Sequence, residues 1–251
     1  RLHNKKLLFI NDHINRLFND SKSIGIKIGF SKNEFINRIF NTIKINKMES
    51  DVHIRVIISR GLKLTPYQDP RFTIGKPTIV IIPEYKKPAM NLYKNGIKLV
   101  TVNIIRGPHN VQDPRLNTLS KLNCILACIE AQKKKGDEAL MFDINGNIST
   151  NNSTHFFYIQ KNTVYTSKGK YCVRGITRKN IIKLCKINDI KILEKDFKLK
   201  DVIKSDEAFV TGSFAGVIPV RKINNKIFKM KKNYLTRRII IKYNQLIENY
   251  K

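Results

Sequence analysis

The sequence is poor in acidic residues. Nineteen Asp and Glu stand against 48 Lys and Arg, a formal net charge of +29. Such an excess raises the question of a phosphate-rich partner, because basic side chains displace counterions from nucleic acid. A nucleic-acid surface gathers its cations into one stripe beside exposed aromatics or a known motif. Here the lysines run from Lys5 to Lys251 and accompany a chain-wide wealth of Asn and Ile. This reads as compositional bias, and nucleic acid is set aside as the main partner. Long hydrophobic runs are also missing. No stretch approaches the roughly 20 apolar residues that span a bilayer, so a membrane-crossing helix is excluded. The opening RLHNKKLLFIND is interrupted too soon for a secretory signal, and it has no initiator Met, so the native N-terminus is expected upstream. Cysteine is scarce: Cys124, Cys128, Cys172 and Cys185, with no CxxC spacing. That excludes a cysteine metal centre and predicts buried free thiols in a reducing compartment, here the cytoplasm.

What is present is 41% apolar residues in 251, enough for the core of one large or two small domains. NDHINRLFND (11–20) has a helical pattern with Ile14 and Leu17 on one face. SKNEFINRIFNTIKIN begins with Ser31 as N-cap and Glu34 three residues later, a capping-box arrangement. VHIRVIISRG (52–61), PTIVIIPEY (77–85) and GIKLVTVNIIRG (96–107) read as strands. An amphipathic helix is expected from Leu119 to Lys135, with Cys124 and Cys128 on its apolar side. Strands at EALMFDI, THFFYIQ and TVYTS follow, then a helix over 175–187 preceded by Gly175. KILEKDF reads as a strand and DVIKSD as a short helix. EAFVTGSFAGVIPV is read as strand with a glycine turn, and LTRRIIIKYNQLIENY as a closing helix. Strands and separated helices without repeats predict an α+β fold. PHNVQDPRL (108–116), polar and with two prolines, is the linker expected between domains 1–107 and 117–251.

Several stretches together resemble the class IV pyridoxal-phosphate aminotransferases: LLFINDHINRL, HIRVIISRG, DPRLNTLSKLNCILACIEAQKKKGDEALMFDINGNI, FFYI, YCVRGITRKNI and DEAFVTGSFAGVIPV. They occur in family order over nearly the whole chain, nearest the branched-chain group. The resemblance implies a two-domain fold of type IV. A small α/β domain would precede a larger one with a β-barrel-like core, the family's first strands being absent here. It implies pyridoxal 5'-phosphate as cofactor, an amino acid and a 2-oxo acid as substrates, and a homodimer.

Residue by residue, the resemblance gives Arg16, in HINRL, as the phosphate-binding arginine, whose planar fork suits phosphate oxygens. Ile176 and Thr177, in GITR, match residues that hold the same phosphate at a helix N-terminus. Ser213, in TGSFAG, stands where a threonine is usual, beside Gly212, with Phe214 on the substrate side. Arg55, in HIRVII, matches an arginine near the substrate carboxylate, with His53 in place of a tyrosine. LKLTPYQ after Gly61 lacks the Arg and His that D-amino acid transaminases carry, which points to L-amino acids.

Three positions depart from the family. The Schiff-base lysine falls on Asn117, the glutamate beside the pyridine nitrogen on Thr150, and an asparagine on His155. Lys121 stands at the place of a cofactor-contacting tyrosine. Asn117 and Lys121, four apart, are expected on one helix face, so that Lys121 takes over the covalent role. Thr150 would leave the ring nitrogen less charged, which keeps a lyase or eliminase open beside transamination. Loss of the chemistry would leave a binding relative of the same fold.

Overall fold

The computed structural model describes residues 1–250 and divides the chain into two compact units, Arg1–Lys87 and Pro88–Tyr250. The first unit contains β1 (Leu2–His3), β2 (Lys6–Leu7), α1 (Ile10–Ser23), α2 (Lys32–Ile45), β3 (Val52–Ser59), β4 (Leu62–Lys63), β5 (Thr73–Ile74) and β6 (Thr78–Tyr85). Its main sheet has the order β2-β1-β3-β6. β3 and β6 pair antiparallel along their full length, from Val52 opposite Tyr85 to Ser59 opposite Thr78. Strand side chains alternate, so Ile54, Val56, Ile58, Ile79 and Ile81 meet Phe35, Ile39 and Ile43 of α2 and Ile14 of α1. The opposite face carries His53, Arg55, Ile57, Val80 and Ile82. Ser31 caps α2 by accepting from Glu34 N at 3.1 Å, while the Glu34 carboxylate turns to Arg38 at 2.8 Å.

The second unit contains α3 (Met90–Asn95), β7 (Ile97–Thr101), α4 (Leu122–Lys133), β8 (Glu138–Phe142), β9 (Ile148–Asn151), β10 (His155–Gln160), β11 (Thr163–Thr166), α5 (Ile176–Ile187), β12 (Ile192–Glu194), α6 (Leu199–Ile203), β13 (Glu207–Gly212), β14 (Gly216–Ile223), β15 (Lys226–Ile227) and α7 (Tyr234–Glu248). Nine strands form one mixed sheet, ordered β12-β11-β10-β13-β14-β7-β8-β9, with β15 on β14. β9 lies at the far end of this order, yet only residues 152–154 separate it from β10. The sheet must therefore curl back on itself, which gives the barrel-like core. Phe156, Phe157, Tyr158 and Ile159 of β10 are all buried, so both faces of that strand are covered. Phe157 stacks on Phe209 with ring centroids 4.8 Å apart. α7 buries Thr236, Ile239, Tyr243 and Ile247, one stripe at helical spacing.

Contacts divide the chain at Lys87/Pro88, and residues 108–116 lie inside the second unit. The reason is β7, which pairs in parallel with both β14 and β8 and so belongs to the large sheet. The helix expected from Leu119 begins only at Leu122. Its large apolar residues Leu122, Ile125, Leu126 and Ile129 are 42–65% exposed, while the small Ala127 and Ala131 face the sheet. Of the cysteines, Cys172 and Cys185 are buried, and Cys124 and Cys128 are half-buried. Among the described residues, no helix is long and apolar enough to cross a membrane.

Candidate active site

Four segments of the second unit converge. The first is the N-terminus of α5. Gly175 is its N-cap at φ −69°, ψ 127°, and no side chain caps it. The N–H groups of the first helical turn have no acceptor within the helix, and Lys179 N is the first to reach back, to Gly175 O at 3.0 Å. Ile176 and Thr177 are buried. Such free helix-end donors, with the positive end of the helix dipole, suit an anion.

The second segment is the turn from β9 into β10. His155 Nε2 lies 2.8 Å from Val173 O, and its ring covers Gly175. A Cβ built on Gly175 would stand 2.3 Å from His155 Cε1, so the ring's position requires glycine there. Thr150, buried on β9, donates its hydroxyl to Thr154 O at 2.9 Å. Glu138 accepts from Asn151 Nδ2 at 2.9 Å and from the hydroxyls of Ser153 and Thr154 at the same turn. Neighbouring strand residues point to opposite faces. The Glu138 carboxylate is therefore on the Asn151 side of β9, away from Thr150.

The third segment runs from Asp113 to Lys121. Arg174 N donates to Arg115 O at 3.4 Å, which ties this stretch to the approach to α5. The hydrogen bond from Arg115 holds the Asp113 carboxyl below its ordinary range. Lys121 Nζ donates to Asn117 Oδ1 at 3.0 Å. The two residues do meet, although not by sharing a helix face. Asn117 lies in irregular chain and Lys121 is the N-cap of α4, at φ −114°, ψ 12°. The fourth segment is the turn 213–215 between β13 and β14. It carries exposed Ser213 and half-buried Phe214, and Gly212 lies beside Thr154.

Arg16 and Arg55 belong to the first unit. Arg16 is on α1, where burial lowers its pKa and Asp20, one turn on, opposes that shift. Burial also drives His13, on the same helix, down to about 3, with the Arg16 charge adding to the effect. Arg55 is exposed in the middle of β3, opposite Ile82. Burial lowers the pKa of His53, which lies 3.5 Å from Glu84 Oε1.

The family described as amino-transferase class IV matches residues 1–223. This chain belongs to the class IV aminotransferases. A Methanocaldococcus jannaschii protein, provisionally named branched-chain-amino-acid aminotransferase, is 33% identical over 92% of this chain and 79% of its own. Branched-chain-amino-acid aminotransferase-like protein 2 of Arabidopsis thaliana is 31% identical over 99% of this chain, which spans 44% of that relative. The T.th. branched-chain amino acid aminotransferase, solved with N-(5'-phosphopyridoxyl)-L-glutamate, superposes with a TM-score of 0.88 at 22% identity, covering 96% of this chain and 79% of that one. The class IV fold is thereby established for both units.

The residues of this class IV chain meet part of what a phosphopyridine aldehyde requires. The uncapped end of α5 suits the phosphate, and Lys121 supplies an amine. The Thr150 hydroxyl, which the family pattern would set at the ring nitrogen, is neutral and gives its proton to Thr154 O. Sequence reasoning passed over Arg106, which is 7% exposed. Its signal was a lone charge closing the stretch LVTVNIIRG.

Proposed function

We propose that the chain binds pyridoxal 5'-phosphate at the N-terminus of α5 and acts as an aminotransferase on an L-amino acid, branched-chain or related, and a 2-oxo acid. In this reading Lys121 takes the place of the family lysine. The observation that carries it is the 3.0 Å bond between Lys121 Nζ and Asn117 Oδ1, which puts an amine beside the side chain where the family has its own. When bound, the cofactor supplies an aldehyde that takes up amino groups and a ring that draws electrons from the bonds around them.

The protein's part is holding and proton movement. Ile176 N–H, Thr177 N–H, the Thr177 hydroxyl and Ser213 hold the phosphate, and the family pattern also gives Arg16 a phosphate-binding role. Lys121 Nζ takes the proton from the α-carbon of the amino acid and returns it at the other end of the transfer. The family pattern gives Arg55 and Phe214 substrate-binding roles, and Thr150 the place at the ring nitrogen. Four free cysteines suit a cytoplasmic setting. The exposed apolar residues of α4 suit a homodimer contact.

Titration of the purified protein with the cofactor tests the reading. An absorbance band in roughly the 400–430 nm range characteristic of a lysine-bound cofactor is expected, together with amino transfer from an L-amino acid to 2-oxoglutarate. Both should vanish in Lys121→Ala. A band that survives the substitution refutes the assignment. The neutral Thr150 favours a second reading, in which the same site serves a lyase. Keto-acid release without amino transfer is its signature. Binding of the cofactor without turnover would mark an inactive relative.

A further inference from the structure

We propose that Arg106 is the positioning residue of this site, one buried guanidinium that sets the Asn117–Lys121 segment against the N-terminus of α5. The inference rests on the reading of Lys121 given above. Arg106 Nε donates to Tyr171 O at 3.1 Å and Nη2 to Pro114 O at 3.3 Å. Nη1 donates to Asn123 Oδ1 at 2.9 Å and to Cys124 Sγ at 3.2 Å. Its own N–H bonds Phe142 O at 2.7 Å, anchoring it where β8 ends.

None of these acceptors is a carboxylate. Asp143, its neighbour across an isolated parallel bridge, spends its carboxylate on Asn145 N, Asn147 N and Asn147 Nδ2. Burying a cation without an ion-pair partner is costly unless its donors are met. A guanidinium presents those donors in one rigid plane. The acceptors are therefore constrained to that plane, and each carries a different piece of the site.

Pro114 lies three residues before Asn117, and Asn123 lies two after Lys121. The irregular stretch that presents both polar side chains is thus pinned on each flank. Asn123 also returns a bond from Nδ2 to Ile105 O at 2.8 Å, closing the loop on Arg106's neighbour. Tyr171, the third anchor, lies four residues before Gly175. Its carbonyl also accepts from Ser149 Oγ at 3.1 Å, and Ser149 adjoins Thr150. Arg106 touches none of the candidate cofactor contacts, yet it grips the chain beside three of them.

The test separates positioning from support of the fold. Its two probes are pyridoxamine 5'-phosphate, which can occupy the phosphate cradle but has no aldehyde, and pyridoxal 5'-phosphate trapped by borohydride and mapped by mass spectrometry. The proteins are the unsubstituted chain, Arg106→Lys, and the milder Asn123→Ala, which decides the matter if Arg106→Lys does not fold. Affinity for pyridoxamine 5'-phosphate is expected to stay within about threefold, since no group at the α5 N-terminus is altered. Trapping on Lys121 is expected to fall about tenfold to a hundredfold in Arg106→Lys, the order for about a 1 Å misplacement of a reacting group. A smaller fall in the same direction is expected in Asn123→Ala. Unchanged trapping overturns the proposal, and so do losses of trapping and affinity in equal step. If the unsubstituted chain binds pyridoxamine 5'-phosphate but traps nothing on Lys121, the Lys121 reading itself fails and takes this one with it.

Discussion

Gly175→Ala probes the packing at the N-terminus of α5. The backbone there, at φ −69° and ψ 127°, suits alanine, so the main chain adds no strain. The conflict is with one ring. The new Cβ would lie 2.3 Å from His155 Cε1, 2.7 Å from Nδ1 and 2.9 Å from Nε2. Restoring ordinary contact, which begins near 3.4 Å, moves the ring by about 1 Å (3.4 − 2.3) and breaks its 2.8 Å bond to Val173 O. Overpacking costs about 1–3 kcal/mol and the lost bond about 1 kcal/mol. The expected destabilisation is therefore about 2–4 kcal/mol. In a His155→Ala background the three nearest atoms are removed, and Gly175→Ala should be neutral or stabilising by up to about 1 kcal/mol. Urea unfolding of the four proteins, followed by circular dichroism, measures the coupling. Effects that add to within about 0.5 kcal/mol would refute the contact between His155 and Gly175.

His13 makes stability fall with acid. Its folded pKa is depressed to about 3, so its contribution is complete above the unfolded value of about 6.5. That contribution is lost as pH drops from there toward 3, by up to about 1.4 kcal/mol per pH unit. His13→Gln should flatten this part of the stability–pH curve, and an unchanged slope would contradict the shift. The buried Glu207 carboxylate accepts from Leu235 N at 3.1 Å and Thr236 N at 2.8 Å at the start of α7. Glu207→Gln should therefore cost about 1–2 kcal/mol by denaturant midpoint, and no change would show that the charge is idle. Thr150→Glu should tighten binding of pyridoxal 5'-phosphate about tenfold through a charge-assisted bond. It should leave an analogue with carbon in place of the ring nitrogen unaffected in fluorescence titration. Equal tightening of both would remove Thr150 from the ring nitrogen.

Regular elements were legible wherever one local signal governed them. Ser31 and Glu34 announced α2, β-branched runs announced β3 and β6, and Gly175 announced α5. The start of α4 was not legible, because Leu119 and Leu122 continue an apolar helical period that the chain does not follow. Arg106 and Gln112, whose side chain reaches Ser120 O at 3.3 Å, hold that stretch irregular instead. The placement of β7 was hidden for a related reason. Its parallel partners β8 and β14 are distant in sequence, and a parallel pair leaves no turn to read. At the site, the oddity of Asn117, Thr150 and His155 was visible from residue types. The Thr150 bond to Thr154 O and the His155 ring over Gly175 depend on tertiary contacts and were not.

The central claim is that the amine beside Asn117 is the one that takes up the cofactor. The most direct measurement is mass spectrometry of peptides from the protein incubated with pyridoxal 5'-phosphate and reduced with borohydride. The account predicts a single phosphopyridoxyl group on Lys121. A group on any other lysine, or none on a protein that binds the phosphate, would contradict it.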